Sequence, residues 1–389
     1  MDDRDLSALA GAVDDADGYL LDADGEDPNQ RYVTGFDAPD PFFAVWTPEG
    51  VHLLVSELEY GRAKTESRAV SVARLSDYDY RDRLEEVGRR AAQASVAVDW
   101  LADHGVAAVR TPDRFPLGTA DRLRDRGVSV ETDPGDAVES ARAVKTETEI
   151  DNVRAAQRAN EAAFAAAGAL IRAADTVDGV LHDGGDPLTS ERVKVEIERT
   201  LLEHGCGLDE TIVACGADAA DPHDRGSGPL RAGEPIVVDI FPRSKATGYH
   251  ADTTRTWVRG EPTETLAEWH RLTDEARAAA LDAVEPGATG ADVHAAACEV
   301  YEDAGLPTLR TDPAAETGFI HSTGHGVGLA VHELPRVAPD GDELEPGNVI
   351  TVEPGLYDPA VGGVRVEDIV VVREDGYENL TTLPTGLEP

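Results

Sequence analysis

The sequence predicts two domains, an α/β domain over residues 1–138 and an α+β domain over residues 139–389 made of two similar halves. Three observations lead there. The chain has 389 residues, enough for two hydrophobic cores. Between about residues 16 and 136, short apolar runs alternate with helical patterns, as in an α/β layer structure. After residue 146, two helices followed by strands occur twice, and both times the strands carry acidic or histidine residues.

In the first domain the apolar runs are GYLLD, RYVTGF, PFFAVWT and VHLLVS, then VAAVRTP and VSVET after a long amphipathic stretch from Tyr80 to His104. Thr47-Pro48-Glu49-Gly50 lies between two aromatic and β-branched runs and predicts a hairpin turn. No motif in this domain carries chemistry. The boundary falls between Val138 and Thr146. Thr146-Glu147-Thr148-Glu149 has the spacing of a capping box and opens an Ala-rich helix to about Ala173. A second helix runs from Ser190 to His204 and stops at Gly205. The second half opens with a helix from Glu264 to Val284, ended by Pro286-Gly287. Thr289-Gly290-Ala291-Asp292 then caps a last helix that finishes before Gly305.

The stretch Val238 to Arg255 carries Asp239 and Asp252 on two strand-like runs joined by a turn. A carboxylate at the core end of a strand must be protonated, paired or bound to a cation. Arg243 and Lys245 belong to the turn, so Arg255 is the expected partner for both aspartates. Downstream come His325 in HSTGHGVG, Glu353 in TVEPG and Glu367 in VRVEDI. Four carboxylates and one imidazole suit a hard or borderline divalent ion such as Mn, Co, Fe or Zn. Four negative charges balance two such ions, which predicts a two-metal centre. The glycines of GHGVG do not form a phosphate-binding motif, and they are expected to let the backbone pass close to metals and substrate.

These residues, in this order, resemble the pita-bread metallopeptidases, the superfamily of methionine aminopeptidases, prolidases and X-Pro aminopeptidases. The first domain resembles the amino-terminal domain of the creatinase and prolidase branch, where it helps form the substrate cleft and a homodimer. The resemblance implies a pita-bread catalytic domain with two pseudo-symmetric halves. It also implies that Asp239 binds the second metal, Asp252 and Glu367 bridge, and His325 and Glu353 complete the first. Glu353 would take the proton of a water shared by two ions, leaving a hydroxide, and pass it to the leaving amine, manganese being the first expectation. His223, in PHDRGSGPL, would contact substrate. His332, seven positions after His325, would donate to the developing oxyanion. Thr254, two positions after Asp252, and Arg365, two before Glu367, share faces with those ligands and are expected to support them or to anchor substrate, as is His321. The other seven histidines are read as structural or solvated. One departure concerns the hairpin: the family has a glycine two residues after the first aspartate and a shorter gap. Here Phe241-Pro242-Arg243 follows, and the aspartates lie 13 positions apart. An irregular tip is needed to keep both on one face.

The implied function is hydrolysis of the bond between an amino-terminal residue and proline, by an X-Pro dipeptidase or X-Pro aminopeptidase. The substrate would be a peptide with proline at its second position. Methionine aminopeptidase is disfavoured by the first domain. A metal-free creatinase-type hydrolase and a non-catalytic binding protein on the same fold are disfavoured by the full set of ligands.

Composition narrows the setting. With 76 Asp and Glu against 35 Lys and Arg, only four of them lysine, the net charge is −41. Such a surface repels nucleic acid and anionic membranes. Its spread over the whole chain speaks against an acidic disordered tail. An Asp-rich, Lys-poor surface fits a high-salt cytoplasm and resembles that of haloarchaeal proteins. Three cysteines, Cys206, Cys215 and Cys298, fit a reducing compartment and no disulfide framework. The acidic start reads as no signal peptide, and no apolar run reaches membrane-spanning length, so a cytoplasmic protein is expected. Lower ionic strength lengthens the screening distance and strengthens self-repulsion. The melting temperature should therefore fall as salt is lowered from molar to millimolar, and a salt-independent melting temperature would contradict the halophilic reading.

Overall fold

In the computed structural model, which describes Arg4 and residues 6–389, the apolar runs of the first domain mostly become strands of one six-stranded mixed sheet. Across the sheet the order is Ser71–Arg74, Gly50–Val55, Phe42–Thr47, Gly18–Ala23, Ala108–Thr111 and Ser129–Thr132. Thr47 pairs with Gly50, so Pro48-Glu49 is a two-residue hairpin turn. The helix Arg89–Asp103 lays Val96, Ala97, Trp100 and Leu101 on Leu20, Val45, Leu54 and Val109. Two segments differ from the sequence pattern. RYVTGF belongs mostly to a helix, Pro28–Thr34, because Asp27 caps it by accepting from Gln30 N and Pro28 pre-sets its first turn. The amphipathic stretch from Tyr80 is two helices, Tyr80–Val87 and Arg89–Asp103, broken at Gly88 with φ +78°. Met1–Asp3 and Asp5, part of the acidic start, lie outside the described residues. Among the described residues no helix is long and apolar enough to cross a membrane.

Met1–Arg142 and Ala143–Pro389 form separate compact units. Most of the helix Ala137–Ala143 stays with the first, where Arg142 donates to Asn29 Oδ1 and Ala141 O accepts from Tyr32.

The second unit has two halves of one design. In the first half the helices Glu147–Ala173 and Ser190–Glu203 pack on a three-stranded antiparallel sheet, Thr211–Cys215, Pro235–Ile240 and Thr253–Val258. Phe164, Ile171, Ile197, Leu201, Val238 and Trp257 fill the space between them. The long helix opens with the capping box, Thr146 and Glu149 each accepting the other's backbone N–H. In the second half the helices Glu264–Asp282 and Gly290–Asp303 pack on a five-stranded antiparallel sheet. Its order is Glu333–Val337, Gly324–Gly326, Val349–Val352, Asp368–Arg373 and Gly376–Asn379. Leu272, Val293, Tyr301, Ile350 and Val370 form its core. A small hairpin, Gly355–Asp358 with Gly362–Arg365, precedes the fourth of these strands.

The halves join along the strand Thr253–Val258. Its backbone meets the segment Arg365–Glu367: Glu367 N donates to Thr254 O at 3.1 Å, and Thr256 Oγ1 bonds both N and O of Arg365 at 2.9 Å. Arg255 completes the joint, and here the structure corrects the sequence reading. Its guanidinium turns away from Asp239 and Asp252. It is 1% exposed and donates to the carbonyls of Thr254, Glu367, Leu383 and Pro384 and to Asp368 Oδ1, so that its donors serve the backbone of both halves. Asp368 also accepts from Arg277 and Asn379. Removing one partner of a buried, hydrogen-bonded charge pair costs about 3–5 kcal/mol. Asp368→Ala, which leaves the buried Arg255 without a carboxylate while Arg277 keeps Asp274, should destabilise the protein by that amount in urea unfolding; a loss below about 1 kcal/mol would contradict this account of the joint.

Candidate metal centre

Antiparallel register explains why the two aspartates of the first half face the same way. Asp239 pairs directly with Thr254, which puts their side chains on one face, and Asp252 stands two residues before Thr254. The extra residues of the tip do not disturb this register, because they fold on themselves. Ser244 N donates to Tyr249 O, Gly248 N to Ser244 O and Ala251 N to Pro242 O, while Arg243–Ser244 pairs with Cys206–Gly207. The Ala-rich helix holds the hairpin from below through two buried amides. Gln157 Nε2 donates to Thr253 Oγ1 at 2.9 Å and Asn160 Nδ2 to Ile240 O at 2.8 Å.

The second half supplies the remaining groups. His325 comes from the short strand Gly324–Gly326, and Glu353 directly follows Val349–Val352. Thr351 Oγ1 connects them, accepting from His325 N at 3.1 Å and donating to Glu353 Oε1 at 3.2 Å. Glu367 follows the small hairpin. Asp252, His325 and Glu367 form the tight group, their ligand atoms all within 4.8 Å of one another. Glu353 Oε1 lies 3.2 Å from His325 Nε2, and Asp252 Oδ2 lies 3.7 Å from it. Asp239 stands beside them, its Oδ2 accepting from Arg365 Nη2 at 2.7 Å.

Arg365, buried, is the cation among these carboxylates. Besides Asp239 it bonds Thr254 Oγ1 at 3.1 Å, Tyr357 Oη at 2.7 Å and Pro222 O at 3.3 Å. Thr254 in turn donates to Glu367 Oε2 at 2.7 Å. His321 donates from Nδ1 to Ser322 O at 2.7 Å and accepts at Nε2 from Tyr357 Oη at 3.1 Å. Burial lowers its pKa to about 4, so it is the neutral imidazole that this pattern requires. Burial likewise pushes the Tyr357 phenol up to about 12, against the pull of Arg365.

One guanidinium does not satisfy four carboxylates. Asp239 Oδ1 and Glu367 Oε1 are buried without a hydrogen-bond partner. Burial raises the pKa of Asp252 and of Glu367 well above the usual carboxylate range, helped by neighbouring carboxylates. Burial raises Asp239 too, with Arg365 opposing. For Glu353 burial also opposes ionisation, but the hydrogen bond and charge of His325 outweigh it and hold the carboxyl at about 2. His325 must lose that proton to act as a ligand. Orphaned, buried carboxylate oxygens around one imidazole are the donor set of a hard or borderline divalent cation, so the residues fit one.

The group lies on a cavity of about 680 Å³. His223 and His332, both exposed, stand in its lining, as do His321 and Arg365. The His332 ring meets the His325 ring edge-on, with centroids 4.2 Å apart. Desolvation and the facing His325 lower the His332 pKa. Of the ten expected ligands, catalytic residues and supporting residues, all but Thr254 line the cavity, and Thr254 is one hydrogen bond behind Glu367. Sequence reasoning missed Tyr357 and Thr351. Thr351 had a signal, standing two positions before Glu353 on a strand face, and Tyr357 had none before its pairing with Gly363 was known. The glycines of GHGVG have a further reason for lacking a side chain. A Cβ on Gly324 would lie 2.1 Å from Thr351 O, and one on Gly326 2.1 Å from Leu334 O, so they admit neighbouring strands.

Comparison with known proteins identifies both domains. Residues 151–374 match metallopeptidase family M24, and residues 12–155 match the creatinase/prolidase N-terminal domain. A probable dipeptidase PepE of Mycobacterium tuberculosis is 37% identical over 255 residues, 65% of this chain and 62% of that protein, so the match spans less than two thirds of the relative. The Xaa-Pro dipeptidase of Pyrococcus horikoshii is 28% identical over 362 residues, 92% of this chain and 91% of that protein. The solved structure of a Bacillus anthracis Xaa-Pro dipeptidase superposes with a TM-score of 0.81 at 25% identity, covering 98% of both chains. With the amino-terminal creatinase/prolidase domain, the two-halved pita-bread unit and a buried acidic cluster around one histidine, this chain belongs to metallopeptidase family M24.

Proposed function

We propose that this protein hydrolyses the peptide bond between an amino-terminal residue and a following proline, as an X-Pro dipeptidase or X-Pro aminopeptidase. The observation that carries the reading is the convergence of Asp239, Asp252, His325, Glu353 and Glu367 on one cavity that also exposes His223 and His332. Asp239, Asp252, His325, Glu353 and Glu367 would hold two divalent ions, Asp252 and Glu367 being the residues that would be shared between them. Manganese is the ion we expect first, ahead of cobalt, iron or zinc. Such ions supply Lewis acidity, bringing the pKa of water towards neutrality and polarising a carbonyl oxygen. The chain does the rest. Glu353 takes a proton from the attacking water and returns it to the leaving amine. His332 donates to the oxygen on which charge develops, and His223 holds the substrate across the cavity. Arg365, Thr254 and His321 keep the carboxylates and Tyr357 in register.

Proline has no N–H, and its ring fixes φ, so an enzyme that grips its substrate as a strand loses a hydrogen bond there. A site that captures the free amino end and the scissile carbonyl has only to accept the ring, and Phe241, Ile320 and Val331 give the cavity apolar walls for it. The names of the relatives support proline over methionine. We further propose residues 1–138 as the amino-terminal domain, a homodimer, a cytoplasmic setting and a halophilic, haloarchaeal-type surface. Nucleic acid and anionic membranes are disfavoured partners at a net charge of −41.

Asp252→Ala or Glu367→Ala should abolish turnover and lower the bound-metal stoichiometry measured by plasma mass spectrometry. His332→Ala should keep its metal and lose about 100- to 1,000-fold in kcat. Full metal loading and normal turnover in Asp252→Ala, or lost metal in His332→Ala, would show that the roles are misassigned. For the substrate, an X-Pro dipeptide, an X-Pro-Y tripeptide, an X-Ala dipeptide and a Met-initiated peptide should be compared with manganese at high salt. Both proline substrates should be preferred, and the better of the two defines the subclass. Preference for X-Ala or the Met-initiated peptide would exclude the X-Pro reading.

A further inference from the structure

We propose that a buried ion pair, Lys145 with Glu333, positions His332, so that both are positioning residues for the reaction. The inference rests on the role given to His332 above. Lys145 Nζ and Glu333 Oε1 lie 2.7 Å apart with side chains 1% and 4% exposed. Charges this deeply buried are costly unless paired, so each is held against the other. Glu333 directly follows His332, and their side chains take opposite directions: the imidazole stands exposed in the cavity while the carboxylate turns into the protein.

The carboxylate grips the loop that carries His332. Glu333 Oε2 accepts from Ala330 N at 3.3 Å, and Gly328 N donates to Ala330 O at 3.0 Å, closing the turn just before His332. Gly328 gives it room, since a Cβ there would lie 2.2 Å from Glu333 Oε1. From the other side, His250 N in the aspartate hairpin's tip donates to Gly328 O at 2.8 Å. Lys145 is itself anchored. Its ammonium donates to Ala143 O at 3.2 Å, its backbone N–H donates to Gly347 O at 2.9 Å, and Val144 bridges Asn348. The strand Val349–Val352, which leads to Glu353, begins at the next residue. One buried pair thus ties the His332 loop to the segment that delivers Glu353, and so fixes the spacing between two groups the reaction uses.

A displacement of about 1 Å in a group that acts on the transition state costs on the order of 100-fold. Glu333→Gln and Lys145→Met should each lower kcat by roughly 10- to 100-fold, with KM and metal content little changed. Lys145→Arg, which keeps the charge, should retain most of the rate. The deciding measurement is a double-mutant cycle: in a His332→Ala background, Glu333→Gln should cost less than about twofold further, because the group it positions is already gone. In the metal-free protein, the His332 Cε1–H resonance should shift in Glu333→Gln while those of His182 and His204 stay. If a single variant fails to fold, Lys145→Met/Glu333→Met, which removes both charges together, carries the same expectation. Equal losses in both backgrounds, or no loss at all, overturn the positioning role alone. Full turnover in His332→Ala overturns the role of His332, and the positioning role with it.

Discussion

The guanidinium of Arg365 is the contact on which the centre depends. It lies where the two halves meet, and it reaches an aspartate of the first half, a threonine that holds a glutamate of the second, a tyrosine and the carbonyl next to His223. Without it, Asp239 would be a buried carboxylate with no fixed partner. With it, one carboxylate is neutralised and oriented, while the group nearest the centre is left to a cation. The arrangement suits arginine and not lysine, since the planar fork serves several acceptors at fixed angles where an ammonium acts as a point charge. Arg255 performs a parallel task a few ångströms of strand away. It spends its donors on backbone carbonyls and Asp368, and so supplies the mechanical joint while Arg365 supplies the electrostatic one.

The chain keeps two kinds of acid. Most of its 76 acidic residues are spread along the chain, and many make short-range pairs at helical spacing, such as Arg271 with Glu268 and Glu275. Exposed pairs of that kind contribute about 0–1 kcal/mol each and weaken with salt. A few acids are buried, and they have local partners: Asp133 accepts from Gly135 N and Ala137 N, Asp368 lies between two arginines, Glu333 on Lys145 and Glu149 in a helix cap, beside the carboxylates of the centre. Composition therefore describes the surface, while the buried acids divide between structural joints and the centre.

Much of the second unit was legible in the sequence because its signals are local. Capping boxes at Thr146 and Thr289, a glycine stop at Gly205 and alternation around Asp239 are each decided within a few residues. Where a local signal was overlooked, as with the Asp27-Pro28 cap or the break at Gly88, a helix was misjudged. Asp239 and Asp252 stood out because acid is costly in an apolar strand, while the full ordered set with His223, His325, His332, Glu353 and Glu367 rested on the resemblance to the pita-bread metallopeptidases.

By itself, then, the sequence determined the alternating architecture, the acidic surface and which carboxylates and histidines were out of place in their surroundings. Only the tertiary structure decided who partners whom. Arg255 and Arg365 are both flanked by β-branched residues near an acidic ligand. Whether a guanidinium turns toward carbonyls or toward Asp239 depends on strands more than 100 residues apart in the chain. The same holds for Lys145 on Glu333. Pairings over such separations are set by the packing of the two halves, which no local pattern encodes.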